Sequence, residues 1–184
     1  METLEEKIER VLKDRIEFVP CDPAWPDRFE EEKAHLLSCL PDGLVTRVEH
    51  FGSTAIAGMA AKPVVDMLVE VTSHRRADEC VPPILEPQGY DYFWRPLDDM
   101  HYPWLIKRDR AGQRTHHIHM AEAGSRLWEG LIFRDYLRAH PDAAEAYHKL
   151  KISLVERFPG DRIAYTEGKT DFVNAILTRA GRAT

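Results

Sequence analysis

Apolar positions recur along this chain with two periods, and the changes of period mark its elements. Leu4, Ile8, Val11 and Leu12 share one stripe at helical spacing. Thr3 with Glu6 three residues on forms a capping box, so a helix is predicted over Leu4–Lys13. Ile16 to Val19 reads as a short strand, and Pro20, Pro23 and Pro26 punctuate the loop after it. A helix starting in Asp22-Pro-Ala-Trp25-Pro continues through Phe29, Leu36, Leu37 and Leu40. Val45 to Phe51 alternates loosely as a strand, Gly52 to Lys62 is a loop or short helix of small residues, and Pro63 to Val71 is a buried strand. A helix over Arg75–Leu85 is limited by Pro82 and Pro83. Strands follow at Tyr90–Arg95, His101–Lys107 and Arg114–Ala121, the last two joined as a hairpin near Asp109-Arg-Ala-Gly112. Helical periodicity then fills Trp128–Ala139, Asp142–Phe158 and Tyr165–Thr178, with breaks at Pro141 and Pro159. This order predicts an α/β (α+β) fold: a mixed sheet flanked by helices, with a helical C-terminal third. No repeat or Gly/Ser linker interrupts it, so one domain is expected over residues 1–184.

Composition narrows the class. Apolar residues are 43% and charged residues 30% of the 184, the balance of a globular protein with a full core. No apolar run is long enough to cross a bilayer. The opening METLEEKIERVLKD lacks the apolar region of a secretory signal, which makes the cytoplasm the expected location. Cys21, Cys39 and Cys80 are scattered and odd in number, and read as reduced packing thiols. The net charge of -6 repels a nucleic-acid backbone, so nucleic acid is not the expected partner. It favours a small-molecule substrate that carries positive charge.

The chemistry gathers between His50 and Val71. Gly52-Ser53-Thr54 offers backbone N–H groups and two hydroxyls to an anion, and glycine lets a ligand approach closely. Lys62 stands near the next strand and suits a phosphate. On that strand Asp66, Leu68 and Glu70 share one face, and Val65, Met67 and Val69 the other. A carboxylate in so apolar a run is costly unless it is paired or bound, which makes Asp66 the leading site residue. In Arg114-Thr-His-His-Ile-His-Met, His117 and His119 share a face opposite His116 and Ile118. Asp66, His117 and His119 could converge to hold a divalent metal, or form a metal-free acid–base site. Arg95, Lys107 and Arg114 are candidates to clamp a phosphate. Arg134 and Arg138 share a helix face and could meet an anion, and Tyr165 and Lys169 stand four apart on a helix. Trp25, Trp94, Trp104 and Trp128 are expected in or near the core, with Trp94 and Tyr102 able to stack on a sugar or base. No Walker loop, Rossmann fingerprint or GxSxG elbow is present.

The central stretch resembles the nucleotidyltransferase superfamily pattern of Gly-Ser followed by Asp-x-Asp on a strand. The more specific resemblance is to the GrpB (UPF0157) family, through Gly52-Ser-Thr, Ala61-Lys-Pro and apolar-Asp66. It continues at Arg114–Met120, Phe133–Pro141 and Tyr165–Phe172, which includes Lys169. It implies a nucleotidyltransferase-like mixed sheet with the site at Gly52, Ser53 and Asp66. The departure lies at Leu68, where the superfamily carries its second carboxylate. Two-metal transfer needs that carboxylate, and Glu70 sits about 7 Å further along the strand. Three functions follow as expectations. The first is acetyl transfer from acetyl-CoA to an amine of an aminoglycoside such as kasugamycin, with His117 or His119 as general base and Asp66 and Glu70 receiving the cation. The resemblance implies it, because GrpB-like domains occur fused to dephospho-CoA kinase and some similar sequences are labelled aminoglycoside N-acetyltransferases. The second is nucleotidyl transfer from ATP to an aminoglycoside or similar polyol, with one divalent metal on Asp66 and the histidines. The third is a ligand-binding domain without catalysis.

Overall fold

The computed structural model describes residues 3–13, 18–97 and 100–181. Five strands form one mixed sheet: β1 (Val45–Phe51), β2 (Val65–Val71), β3 (Tyr90–Leu97), β4 (Met100–Arg108) and β5 (Arg114–Ala121). Their order is β1-β2-β5-β4-β3. Only β2 and β5 run parallel; the β1/β2, β4/β5 and β3/β4 pairs are antiparallel. The parallel pair lies inside the sheet, where most residues of both strands are buried. Seven helices among the described residues surround it: α1 (Leu4–Lys13), α2 (Trp25–Cys39), α3 (His74–Leu85), α4 (Glu129–Ala139), α5 (Pro141–Arg157), α6 (Arg162–Glu167) and α7 (Thr170–Arg179). The expected α+β class, with its helical last third, is the one found.

Strand alternation splits the core in two. Val65, Met67, Val69, Ile118 and Met120 face α2 and α3 and pack with Trp25, Leu36, Val81 and Leu85. Leu68 and Ala121 point the other way and meet Leu131 of α4, beside Phe51 and Trp128. A third cluster of Phe133, Leu137, Tyr147, Ile176 and Leu177 joins α4, α5 and α7 and takes in Ile56 and Met59 from the loop after β1. That loop is thus clamped between sheet and helices. The three cysteines pack against the core as free thiols. No described helix is long and apolar enough to cross a membrane.

Several elements differ from expectation. Pro82 and Pro83 lie inside α3 and do not end it, because Val81 and Leu85 are fully buried and hold the last turn. The carbonyls those prolines leave unpaired belong to Asp78 and Glu79, on the exposed side. The helix expected over Tyr165–Thr178 is two helices, broken at Gly168. A Cβ at Gly168 would lie 2.5 Å from Leu154, so α6 packs there at glycine distance. β2 starts at Val65 rather than Pro63, whose ring cannot donate to the ladder. Of the strand expected at Ile16–Val19, Ile16 lies outside the described residues, and Val19 makes a single antiparallel bridge with Ala61. Trp94 is 42% exposed and donates its indole N–H to Asp78 of α3 at 2.8 Å. It therefore belongs neither to the core nor to the site face.

Candidate active site

The site face is built by register. Asp66 on β2 is the partner of Phe51 on β1 and of His117 on β5. Leu68 is the partner of His119, and His119 of Trp104 on β4. Tyr102 and Arg95 follow on β4 and β3 as mutual partners. One face thus carries Asp66, His117, His119, Trp104, Tyr102 and Arg95 in a band across the sheet.

Asp66 and His117 form a pair, Nδ1 to Oδ1 at 3.1 Å. Arg114 Nη1 stands 3.4 Å from the other ring nitrogen, Nε2. Guanidinium can only donate, so Nε2 accepts and Nδ1–H donates to the carboxylate. Burial pushes the His117 imidazole down to about 4 against the pull of Asp66. Burial would raise the Asp66 carboxyl, but the His117 hydrogen bond and the positive charge of Lys62 outweigh it and hold the carboxyl well below the ordinary range. The pair is a carboxylate against a neutral imidazole. His119 is likewise buried and driven down to about 3 by desolvation. Its Nδ1 lies 3.1 Å from the Tyr102 hydroxyl, and its ring stands edge-on to Phe51. Burial raises the Tyr102 phenol, which stays protonated and donates to that nitrogen. Arg95 lies over the Trp104 ring at 4.9 Å.

These contacts reassign the histidines. Both ring nitrogens of His117 are engaged, and His119 spends one on Tyr102, so His117 orients Asp66 and is no free base. Among the described residues no group of three His, Cys, Asp or Glu side chains could hold a metal ion. The metal set Asp66, His117 and His119 therefore does not fit: His119 turns to Tyr102, and Leu68 occupies the position between.

The other expected residues divide. Gly52 is indispensable: its backbone is at φ 73, ψ -170, and a Cβ there would lie 2.7 Å from Asp66 Oδ2. Ser53 faces a cleft of about 400 Å³ between the β1 loop, α4 and α7, which Lys169 also lines. Lys62 lies close enough to act on the charges of Asp66, His117 and His119. Lys169 caps α7 and covers the Tyr165 ring at 4.4 Å, so that expected pair is close although the two residues lie on different elements. Thr54 turns inward: its buried hydroxyl lies 2.9 Å from His50 Nε2, and that ring stacks on Phe29. It holds the loop and reaches no ligand. Glu70 receives a 2.6 Å hydrogen bond from Thr46, beyond Leu68 from the site, and is not part of it. Arg114 donates to Val11 of α1 at 2.6 Å and backs His117. Lys107 is ion-paired with Glu32 on the opposite side of the sheet. Arg134 and Arg138 are structural clamps: Arg134 donates to the His50 carbonyl at 2.7 Å and to Glu49 at 3.0 Å, and Arg138 to the Ala55 carbonyl at 2.6 Å.

One residue was missed. Lys151 of α5 is 1% exposed, and its Nζ donates to Ser53 Oγ at 3.1 Å and to the Ala60 carbonyl at 2.8 Å. Burial, with Lys169 and Lys62 nearby, brings its amine down to about 7. The sequence held the signal: Lys151 interrupts the buried stripe of Tyr147 and Leu154 at helical spacing.

A model of the family described as GrpB protein matches residues 15–179. The chain belongs to the GrpB family. It is 41% identical over 174 residues to a UPF0157 protein of Pseudomonas aeruginosa, covering 93% of this chain and 70% of that one. The crystal structure of the conserved protein GrpB from Enterococcus faecalis aligns with a TM-score of 0.78 at 32% identity, over 89% of this chain and 96% of that one. A dephospho-CoA kinase of Mycolicibacterium paratuberculosis is 30% identical over 197 residues, but the match spans 93% of this chain and only 47% of that protein. The Cid1 poly(U) polymerase with Mg and 3′-dATP shares the outline at a TM-score of 0.47 and 16% identity, over 83% of this chain and 46% of that one. That likeness is one of shape and decides nothing about chemistry.

Proposed function

We propose that this GrpB-family chain is a group transferase whose donor is a phosphate ester, held between Ser53, Lys62 and Lys169 beside the Asp66–His117 pair. The observation that carries the reading is the lysine charge around Ser53 and Asp66. Lys62 and Lys169 both act on Lys151, and Lys62 acts on Asp66. Fixed cations at such a place stabilise negative charge on a transferring group. Asp66, kept ionised, accepts a hydrogen bond from the N–H or O–H of the acceptor and orients it.

ATP is the donor that fits this geometry best. Its reacting phosphorus is itself one of the charged groups, so the cations and Asp66 act on the same centre. In acetyl-CoA the thioester is separated from the phosphates by the whole pantetheine arm, so one cluster of cations could hold the phosphates or steady the oxyanion at the reacting carbon, but not both. One finding favours the CoA donor: the family relative named dephospho-CoA kinase matches over nearly all of this chain. Under that second reading the activity is N-acetylation of an aminoglycoside. The basic residues around Asp66 repel so cationic an acceptor, and favour a neutral or anionic one. Thermal-shift measurements with ATP, with and without magnesium, and with CoA separate the readings. ATP at about 100 Kd is expected to stabilise by ~2.7 kcal/mol, and Lys169→Met to abolish most of the shift. Stabilisation by CoA alone would select the second reading; no shift with either would overturn both.

A further inference from the structure

We infer that Ser53 and Lys151 form a nucleophile–base dyad, in which the serine oxygen takes the transferred group covalently before the acceptor receives it. The dyad stands on geometry independent of the donor's identity. Lys151 Nζ lies 3.1 Å from Ser53 Oγ, inside the reach of direct proton transfer. A second bond to the Ala60 carbonyl, at 2.8 Å, fixes the amine in place. Ser53 also lines the cleft, while the Lys151 side chain behind it is buried.

The surroundings select the neutral amine. The Phe18 and Tyr147 rings, each 5.1 Å from Nζ, favour the ammonium, but burial outweighs them. The charged groups that act on it are Lys62 from the loop and Lys169 from the α7 cap, both of its own sign. No carboxylate pairs with Lys151 among the described residues. A buried ammonium without a counter-charge is costly, so the proton is readily shed and the nitrogen lone pair is available to the serine hydroxyl. A serine beside a base of this kind is the general arrangement of an activated nucleophile.

The step balances. Ser53 Oγ attacks the phosphorus of the donor, and its proton passes to Lys151 Nζ. The bond to the leaving group breaks with its electron pair, and that group collects the proton from the lysine ammonium. The acceptor then attacks the serine-bound group and gives its proton to Nζ. Ser53 Oγ departs with the bond pair and regains that proton. A bound donor phosphate raises the basicity of Lys151 and favours the first transfer.

A fluorophosphonate probe tests this directly, since displacement of fluoride by Ser53 copies the first step and needs no donor. Peptide mass spectrometry is expected to place one adduct on Ser53, absent in Ser53→Ala and at least ~100-fold slower in Lys151→Met. The wild-type labelling rate is expected to rise through one midpoint near pH 7. Should Lys151→Met fail to fold, that midpoint decides. A rate proportional to hydroxide with no inflection between about pH 6 and 8, labelling elsewhere, or none, overturns the dyad. Donor binding by thermal shift stands or falls separately, because labelling needs no donor and binding needs no covalent step.

Discussion

Replacing Gly52 by alanine probes the closest approach in the site. Its backbone, at φ 73 and ψ -170, lies in a region that only glycine occupies without strain. A side chain there costs ~1–3 kcal/mol. The added methyl would also stand 2.7 Å from Asp66 Oδ2, 3.1 Å from its Cβ and 3.3 Å from its carboxyl carbon. Asp66 is fixed on a central strand between Phe51 and His117, so relief comes by turning the carboxylate away from the imidazole. That gives up a 3.1 Å hydrogen bond to a charged acceptor, worth ~1.5–3 kcal/mol. Together the loss is ~2.5–6 kcal/mol, a fall of roughly 5–24 °C in Tm for a chain of this size. Gly58→Ala is the control: φ is 75, but nothing lies within 4 Å of the added carbon. It should cost only the backbone term, ~1–2 kcal/mol. Urea unfolding of both variants, with nitrogen NMR of the His117 ring, gives the comparison. A double-mutant cycle with Asp66→Ala should recover ~1 kcal/mol or more of coupling. Equal stability of the two glycine variants within ~0.5 kcal/mol, with an unmoved His117 Nδ1–H signal, would refute the contact argument.

Acid stability and the second strand position carry two further predictions. His50 and His117 titrate near 4 and His119 near 3 in the folded chain, against 6.5 as the ordinary value. The unfolded chain therefore takes up protons first, and stability present above about pH 6.5 is lost as the pH falls toward 4, by ~1.4 kcal/mol per pH unit for each histidine. The depressed Asp66 carboxyl adds its own loss below about pH 4. Urea midpoints at pH 7, 6 and 5 measure this, and a flat profile would contradict the neutral buried imidazoles. Leu68→Asp gives β2 an Asp-x-Asp pattern but places a charge at a fully buried position against Ala121 and Leu131. It should destabilise by more than ~3 kcal/mol and yield no nucleotide turnover; a folded variant with stability unchanged would show that this position reaches water.

The sheet was legible because strands and helices write different periods, and all five strands lie within a few residues of where alternation puts them. What the periods do not carry is depth. Thr54 and Ser53 are neighbours of similar chemistry, yet one faces His50 and the other the cleft, a difference set by the single turn at Ser53–Ala55. Glu70 shares a face with Asp66, but Leu68 intervenes, and a face says nothing of distance along the strand. The reach of Arg134 and Arg138 back to β1 depends on helix packing that no local pattern encodes.

Lys151 shows most clearly how the site was hidden. Its helix has an amphipathic period, and lysine ordinarily belongs on the polar face. The buried stripe runs Tyr147, Lys151, Leu154, so the amine is on the wrong side for solvent and meets no carboxylate among the described residues. The cost is met by the loop it holds, since its amine ties both Ser53 and Ala60 to α5. Leu68 is the converse case. Its apolar side chain packs Leu131 of α4 onto the sheet, two residues beyond Asp66 on the same face of β2.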